Sequence, residues 1–234
     1  MVNKLIVLLL LLGLGVIFTS LVVGFAPPQS LNVTSQYYAQ NTVAETGAAN
    51  IVTAIVVTYR GLDTLGEVTV LFLTATILGL VLSLGHARAQ GAQRGTAVVV
   101  GELLTTGTRL LIPLILLLGV YVFVNGHLTP GGGFQGGAIM ASAALLALLS
   151  DPLKPFSHAL ISAVESTSGL LYVIIGTLGI FLAGGFLDSR LLPLGELGAL
   201  CSAGAIPLIY TLVGLKVGTE FTSMLVHLSE SGES

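Results

Sequence analysis

Six stretches of nearly unbroken apolar character divide the chain, running Lys4–Phe25, Asp63–Leu84, Thr108–Val124, Phe134–Leu149, Ser168–Phe186 and Leu197–Val217. Each approaches the roughly 20 residues that an α-helix needs to cross the hydrocarbon core of a bilayer. A seventh apolar run, Ile51–Val57 within Thr46–Arg60, is too short to cross and predicts an interfacial or re-entrant helix. The pattern predicts an all-α, polytopic membrane protein with about six transmembrane helices and one short helix that does not span.

Composition agrees with the pattern and narrows the chemistry. Of 234 residues, 54% are hydrophobic and 8% are charged, against roughly 25% charged in a soluble domain. The mean hydropathy of +0.99 excludes disorder as well, since disorder needs low hydrophobicity and high net charge. One cysteine excludes a disulfide framework, a Cys-ligated zinc site and an iron–sulfur cluster held by this chain alone. A net charge of −3 without a long basic run gives no reason to expect nucleic acid. The sequence offers no nucleophile–base pairing, no metal-ligand cluster and no redox cysteine pair, so neither catalysis by this chain alone nor a cofactor is expected.

Lysine and arginine set the expected orientation. With the amino terminus in the cytoplasm, that side receives Lys4, Arg88, Arg94, Arg109, Lys154 and Lys216, while the other receives Arg60 and Arg190. Both termini are therefore expected inside the cell, the bilayer being the plasma (inner) membrane. The first span could instead be a cleaved signal peptide, with Gly24–Ala26 as the cleavage site, although its apolar run is longer than a usual signal core. The sequon Asn32-Val33-Thr34 faces outward in this topology and by itself decides nothing. A small, basic segment, residues 85–101, reads as a cytoplasmic linker between a two-helix region, residues 1–84, and a four-helix domain, residues 102–234. No internal repeat is visible, which counts against a self-contained carrier.

Ionisable groups in a span cost at least ~2.5 kcal/mol on insertion scales, so each raises a functional question. The second span opens with Arg60, Asp63 and Glu67, and the spacing of four puts both carboxylates on one helix face, continued inward by Thr74. Capping by Asp63 and its pairing with Arg60 account for that residue structurally. They account poorly for Glu67, one turn deeper, which is the candidate for an ion path. A buried carboxylate with a nearby cation can load and release a proton near neutral pH.

A second cluster, Asn125 to Gly137, joins the third and fourth spans. Gly131, Gly133 and Gly136 spell a dinucleotide fingerprint, but a membrane span and not a strand precedes them, so nucleotide binding is excluded on context. Gly131, Gly132, Gly133, Gly136 and Gly137 are read as helix-packing residues, with Gly133 and Gly137 forming G-x-x-x-G and Ala138, Ala141 and Ala144 extending the small face. His127 is either a proton relay or a hydrogen-bonded structural histidine. Lys216 and Glu220, four apart near the expected cytoplasmic edge, are either part of the path or a snorkelling pair. Pro113 and Pro207 are expected to kink their helices, Glu196 to complement a helix dipole, and Cys201 to pack as a small residue.

The segment TGAANIVTAIVVTYRGLDTLGEVTVL, from Thr46 to Leu71, resembles the carboxyl-terminal region of the large MrpA subunit of Mrp-type Na+/H+ antiporters, and equally the MbhE-type subunit of membrane-bound hydrogenases. Arg60, Gly61, Asp63, Thr64, Gly66 and Glu67 match as they stand; Thr58 stands where that pattern often has an acidic residue. The back half, from Thr105 to Leu228 with NGHLTPGGGFQGGAI, resembles the MnhB/MrpB family. The resemblance implies a subunit of a multisubunit cation/proton antiport module, with antiporter-like and small Mrp subunits as partners. Glu67 would exchange a proton or meet a partner's cation, Asp63 and Arg60 would tune it, and His127 would sit at the outer mouth. Two alternatives stay open: the same subunit within a redox-driven complex such as a membrane-bound hydrogenase, with a peripheral redox arm, and a purely structural wedge between antiporter subunits.

Overall fold

The computed structural model describes residues 2–26, 30–88, 101–151 and 156–232. Two compact units are present, residues 1–37 and 38–234. The first contains α1 (Val2–Val23), whose apolar side chains from Leu5 to Val23 are exposed. Its Thr19 and Ser20 hydroxyls donate back to the Gly15 and Ile17 carbonyls at 2.7 and 2.8 Å, which satisfies polar groups without water. The same unit holds the start of α2 (Val33–Thr46), capped by the Asn32 side chain, which accepts from the Ser35 N–H at 2.7 Å.

The sequence pattern gives no hint of α2, because VTSQYYAQNTVAET has no strong apolar stripe and dilutes its Ala, Gln and Glu with Thr, Val, Tyr, Ser and Asn. In the second unit, Asn50 caps α3 (Ile51–Thr53), which runs directly into a π-helical stretch, Ala54–Tyr59. This short helix is the non-spanning element expected within Thr46–Arg60. It buries Thr53, Ala54 and Val57.

The long helices come next: α4 (Gly61–Arg88), α5 (Glu102–Val124), α6 (Gly133–Ser150), α7 (His158–Leu182) and α8 (Ile206–Gly232), with a 3-10 turn at Ser189–Leu191 before α8. Helix α8 is the hub, packed by α4, α5, α6 and α7. It supplies Ile206, Ile209, Tyr210, Leu212, Val213 and Val217 to the main buried cluster. Five described helices, α1 and α4 to α7, are long and apolar enough to cross a membrane. Helix α8, with 27 residues, spans roughly 40 Å at 1.5 Å per residue and has the length of a sixth.

Several expected boundaries move. The sixth span was expected at Leu197–Val217, but α8 begins at Ile206 and continues to Gly232. Gly195, Gly198 and Gly204 adopt positive φ, as does Ala203, so 195–204 folds as a compact loop. Three expectations fall with that start. Pro207 sits in the first turn of α8, where a missing N–H costs little, and introduces no interior kink. Glu196 lies in the loop and complements no helix start, and Cys201 is exposed, not packed. Helix α7 begins ten residues earlier than the expected Ser168, because Ser157 caps it by accepting from the Leu160 N–H. Residues 89–100 of the expected linker, and Arg94 and Lys154 of the charge-bias argument, lie outside the described residues.

The glycine segment brings helices close. A Cβ on Gly133 would lie 2.6 Å from Val213 Cγ1, one on Gly137 2.8 Å from the Gly214 carbonyl, and one on Gly136 2.7 Å from the Gly119 carbonyl. Gly133, Gly137 and the buried Ala141 therefore seat α6 on α8, while Gly136 seats it on α5. Ala138 is exposed and takes no part.

Candidate functional site

Helix α4 starts one residue after Arg60, which places Asp63 in its first turn. Asp63 therefore complements the helix dipole and pairs with Arg60, Nε to Oδ2 at 2.5 Å, without being the cap. Thr64 and Val68 point into the bundle, while Asp63, Glu67 and Thr74 are exposed on an adjoining flank of the helix. Glu67 is thus not enclosed by its own chain; α4 presents it outward from within a segment apolar enough to span. It interacts electrostatically with Tyr172 of α7, a side chain that is 2% exposed and whose hydroxyl has no hydrogen-bond partner.

The second charged pair is deep. Lys216 and Glu220 lie midway along α8, not at its edge, and Nζ approaches Oε1 to 2.7 Å. Expected snorkelling is replaced by burial. The ammonium sits 4.8 Å from the centre of the Phe72 ring on α4, a cation–π contact, and its stem passes Gly169 of α7, which is small enough to admit it. Neither Glu220 oxygen makes a well-aligned hydrogen bond, so the ion pair is its principal compensation. Glu165 of α7 adds a second carboxylate that repels Glu220.

His127 is fully enclosed, not open at a mouth. Its Nε2 lies 3.3 Å from the Ala199 carbonyl oxygen, and Nδ1 has no partner. Around it three loops interlock. Asn50 donates its backbone N–H to the His127 carbonyl at 3.0 Å and its side-chain amide to the Gly126 and Thr129 carbonyls at 2.9 and 3.0 Å. Thr53 donates to Gly126 O, and Tyr210 donates to Thr53 Oγ1 at 3.3 Å. In the neighbouring loop Arg190 grips Asp188, Nη2 to Oδ2 at 2.6 Å. Burial pushes the Asp188 carboxyl up, but the Arg190 hydrogen bonds and charge outweigh it and hold it below the usual range.

The structure therefore separates the six expected path residues into three places. Arg60, Asp63 and Glu67 share the outward face of α4, Lys216 and Glu220 occupy the core of the bundle, and His127 is sealed under the loops. Tyr172 and Glu165 escaped the sequence reading because a tyrosine or a glutamate on an otherwise ordinary span has no partner visible in one dimension. Among the described residues no group of three or more His, Cys, Asp or Glu is arranged to hold a metal.

Comparison with known proteins fits this architecture. The profile described as "Domain related to MnhB subunit of Na+/H+ antiporter" matches residues 103–223, and the MbhE profile, for the E-type subunit of MBH, matches residues 3–90. The uncharacterized protein MJ1307 of Methanocaldococcus jannaschii is 31% identical over 193 residues, covering 72% of each chain. The B-type subunit of the Na(+)/H(+) antiporter of Bacillus subtilis is 38% identical over 84 residues, 35% of this chain and 59% of that one. Among solved structures, a chain of the membrane-bound sulfane sulfur reductase, an archaeal respiratory membrane complex, superposes with a TM-score of 0.81 at 38% identity, covering 97% of this chain and 98% of its own. A chain of the Mrp complex from Dietzia sp. superposes with a TM-score of 0.77 at 28% identity, covering 99% of this chain but 26% of that longer one. With more than half its length matched by the MnhB profile and an MbhE-type region ahead of it, the chain belongs to the MnhB family of antiporter-related membrane subunits.

Proposed function

We propose that this chain is an integral-membrane subunit of a multisubunit cation (Na+)/proton antiport module, lining or sealing part of the ion pathway. One observation carries the reading: Glu67 is exposed on a helix apolar enough to span. A charge facing lipid costs at least ~2.5 kcal/mol, so the outward face of α4 is expected to meet a polar surface or hydrated passage supplied by an antiporter-like or small Mrp-type partner. Asp63 and Arg60 sit a turn above it, and Tyr172 lies behind it. The module resides in the plasma membrane with both chain termini in the cytoplasm. The chain supplies no catalysis of its own.

Replacing Glu67 by Gln tests the reading. In membrane vesicles carrying the assembly, Glu67→Gln is expected to abolish Na+/H+ exchange while the assembly still purifies intact. Unchanged exchange would leave only the structural wedge. A second reading, the same subunit inside a redox-driven respiratory complex, is supported by the nearly complete mutual coverage with a chain of the sulfane sulfur reductase complex. It predicts that a peripheral redox arm with iron–sulfur subunits copurifies with this chain.

A further inference from the structure

Helix α8 carries polar side chains at Lys216, Glu220, Ser223, His227 and Glu230. Their spacing, i, i+4, i+7, i+11 and i+14, keeps all five on one face of the helix over roughly 21 Å. That face is flanked alternately by α4 and α7. Phe72 of α4 and Gly169 of α7 meet Lys216, and Glu165 of α7 faces Glu220. Gly79 of α4 leaves room for the His227 ring, 3.5 Å from its would-be Cβ. The His158 ring of α7 then meets the His227 ring edge-on at 5.5 Å, and His158 Nε2 reaches Glu230 Oε1 at 2.7 Å.

The row grades from enclosed to open. Glu220 is fully buried, His227 half-buried, and His158 and Glu230 are about half exposed, at 51% and 52%. His227 Nδ1 lies 2.8 Å from the Ser223 carbonyl oxygen and 3.4 Å from the Ser223 hydroxyl, while Nε2 turns toward Gly79 of α4. Such a ring can take a proton on one nitrogen and give one up from the other. Successive members of the stripe stand three or four residues apart, about 4.5–6 Å along the helix axis, a spacing that bridging water can join.

We infer that this stripe is a proton relay built into the chain itself, joining the buried Lys216–Glu220 pair to water at the carboxyl-terminal end of α8, with His227 as the transfer group and His158–Glu230 as its collecting end. Each step moves one proton between neighbouring groups and leaves no net chemical change. The inference rests on the antiport reading above and adds the route by which the proton enters or leaves.

Membrane vesicles carrying the full assembly test it with a pH-sensitive dye. His227→Ala is expected to slow Na+-dependent proton movement at least tenfold, with heat stability and subunit composition unchanged. Added imidazole should restore much of the rate in His227→Ala, whereas His227→Gln, which keeps a hydrogen bond but carries no proton, should stay slow. His158→Ala and Glu230→Gln should each slow exchange less, because either leaves the other half of the collecting end. Unchanged exchange in His227→Ala overturns the relay, as does a loss that imidazole does not rescue or that accompanies disassembly. Glu67→Gln in the same vesicles separates the two ideas: if it stops exchange while His227→Ala does not, only the relay fails, and if it leaves exchange intact, the antiport reading fails.

Discussion

Two ion pairs of nearly the same sequence spacing occupy opposite environments. Arg60–Asp63, three apart at the start of α4, leaves its side chains 62% and 56% exposed. Lys216–Glu220, four apart in α8, leaves 11% and 0%. Spacing alone made both look like ordinary helix-surface pairs. What differs is the helix on which they stand: α4 packs on α8 through one face only, whereas α8 is surrounded on several sides. A pair at an exposed helix end is a modest electrostatic adjustment, while a pair in the bundle core is a commitment, because each charge depends on the other for its solvation.

The largest test of that contrast is to remove one buried partner. Glu220→Gln or Lys216→Met should destabilise the protein by about 3–5 kcal/mol, since an uncompensated buried charge remains. Replacing both by methionine should recover most of that loss, and a thermal-melting double-mutant cycle on the purified assembly would read the coupling. A double replacement as damaging as the singles would break the comparison.

A smaller effect is expected from crowding the pair without touching its charges. The Gly169 Cα faces the Lys216 stem, with a would-be Cβ 3.4 Å from Lys216 Cδ. Gly169→Ala should be accommodated, while Gly169→Leu should displace the ammonium and cost about 1–3 kcal/mol, as overpacking does. Melting of the two variants side by side measures the difference.

Asp188–Arg190 is an intermediate case, with the carboxylate buried and the guanidinium exposed. Because the folded carboxyl titrates below its ordinary value, its contribution is fully present above the unfolded carboxylate range near ~3.9. It is lost as pH falls through the lower folded value. Melting measured from pH 6 down to pH 2 should fall more steeply in the wild type than in Asp188→Asn.

The smallest effect belongs to the exposed pair. Arg60→Ala should change stability by no more than about 1 kcal/mol where this face opens on a hydrated passage, measured by the same melt, and a larger loss would mean that a partner's polar surface packs directly against it.

How much of this was legible depends on the same contrast. Span positions, the short helix near Thr46–Arg60 and the two-part family resemblance were readable, because each leaves a one-dimensional trace: an apolar run, a run too short to cross, a long shared string of residues. The start of α8 was not. Leu197, Leu200 and Cys201 continue the apolar run, and only the positive φ of Ala203 and three nearby glycines shows that the chain turns there instead. The depth of Lys216 was equally hidden, since it depends on Phe72 and Gly169, residues far off in the sequence. The face of α4 that carries Asp63 and Glu67 was predicted by spacing; that this face would turn away from its own chain needed the third dimension. His127 stands out within its loop, but its enclosure under Ala199 depends on the fold of the 195–204 segment, whose apolar residues look helical in one dimension.

The wide turn at Ala54–Tyr59 has a consequence for the direction in which Glu67 looks. There the Arg60 N–H reaches back five residues to the Ile55 carbonyl at 2.8 Å, so one more amino acid is spent than an α-helix would use. Tyr59, stacked 4.7 Å from Tyr38 and donating to Glu45 at 2.6 Å, clamps that surplus in place. At Arg60 the backbone leaves helical geometry, with φ −124° and ψ 34°, so α4 starts on a new axis. The Thr64 hydroxyl then donates to the Val56 carbonyl at 2.7 Å, so the first turn of the helix that bears the carboxylate is pinned to the widened turn ahead of it.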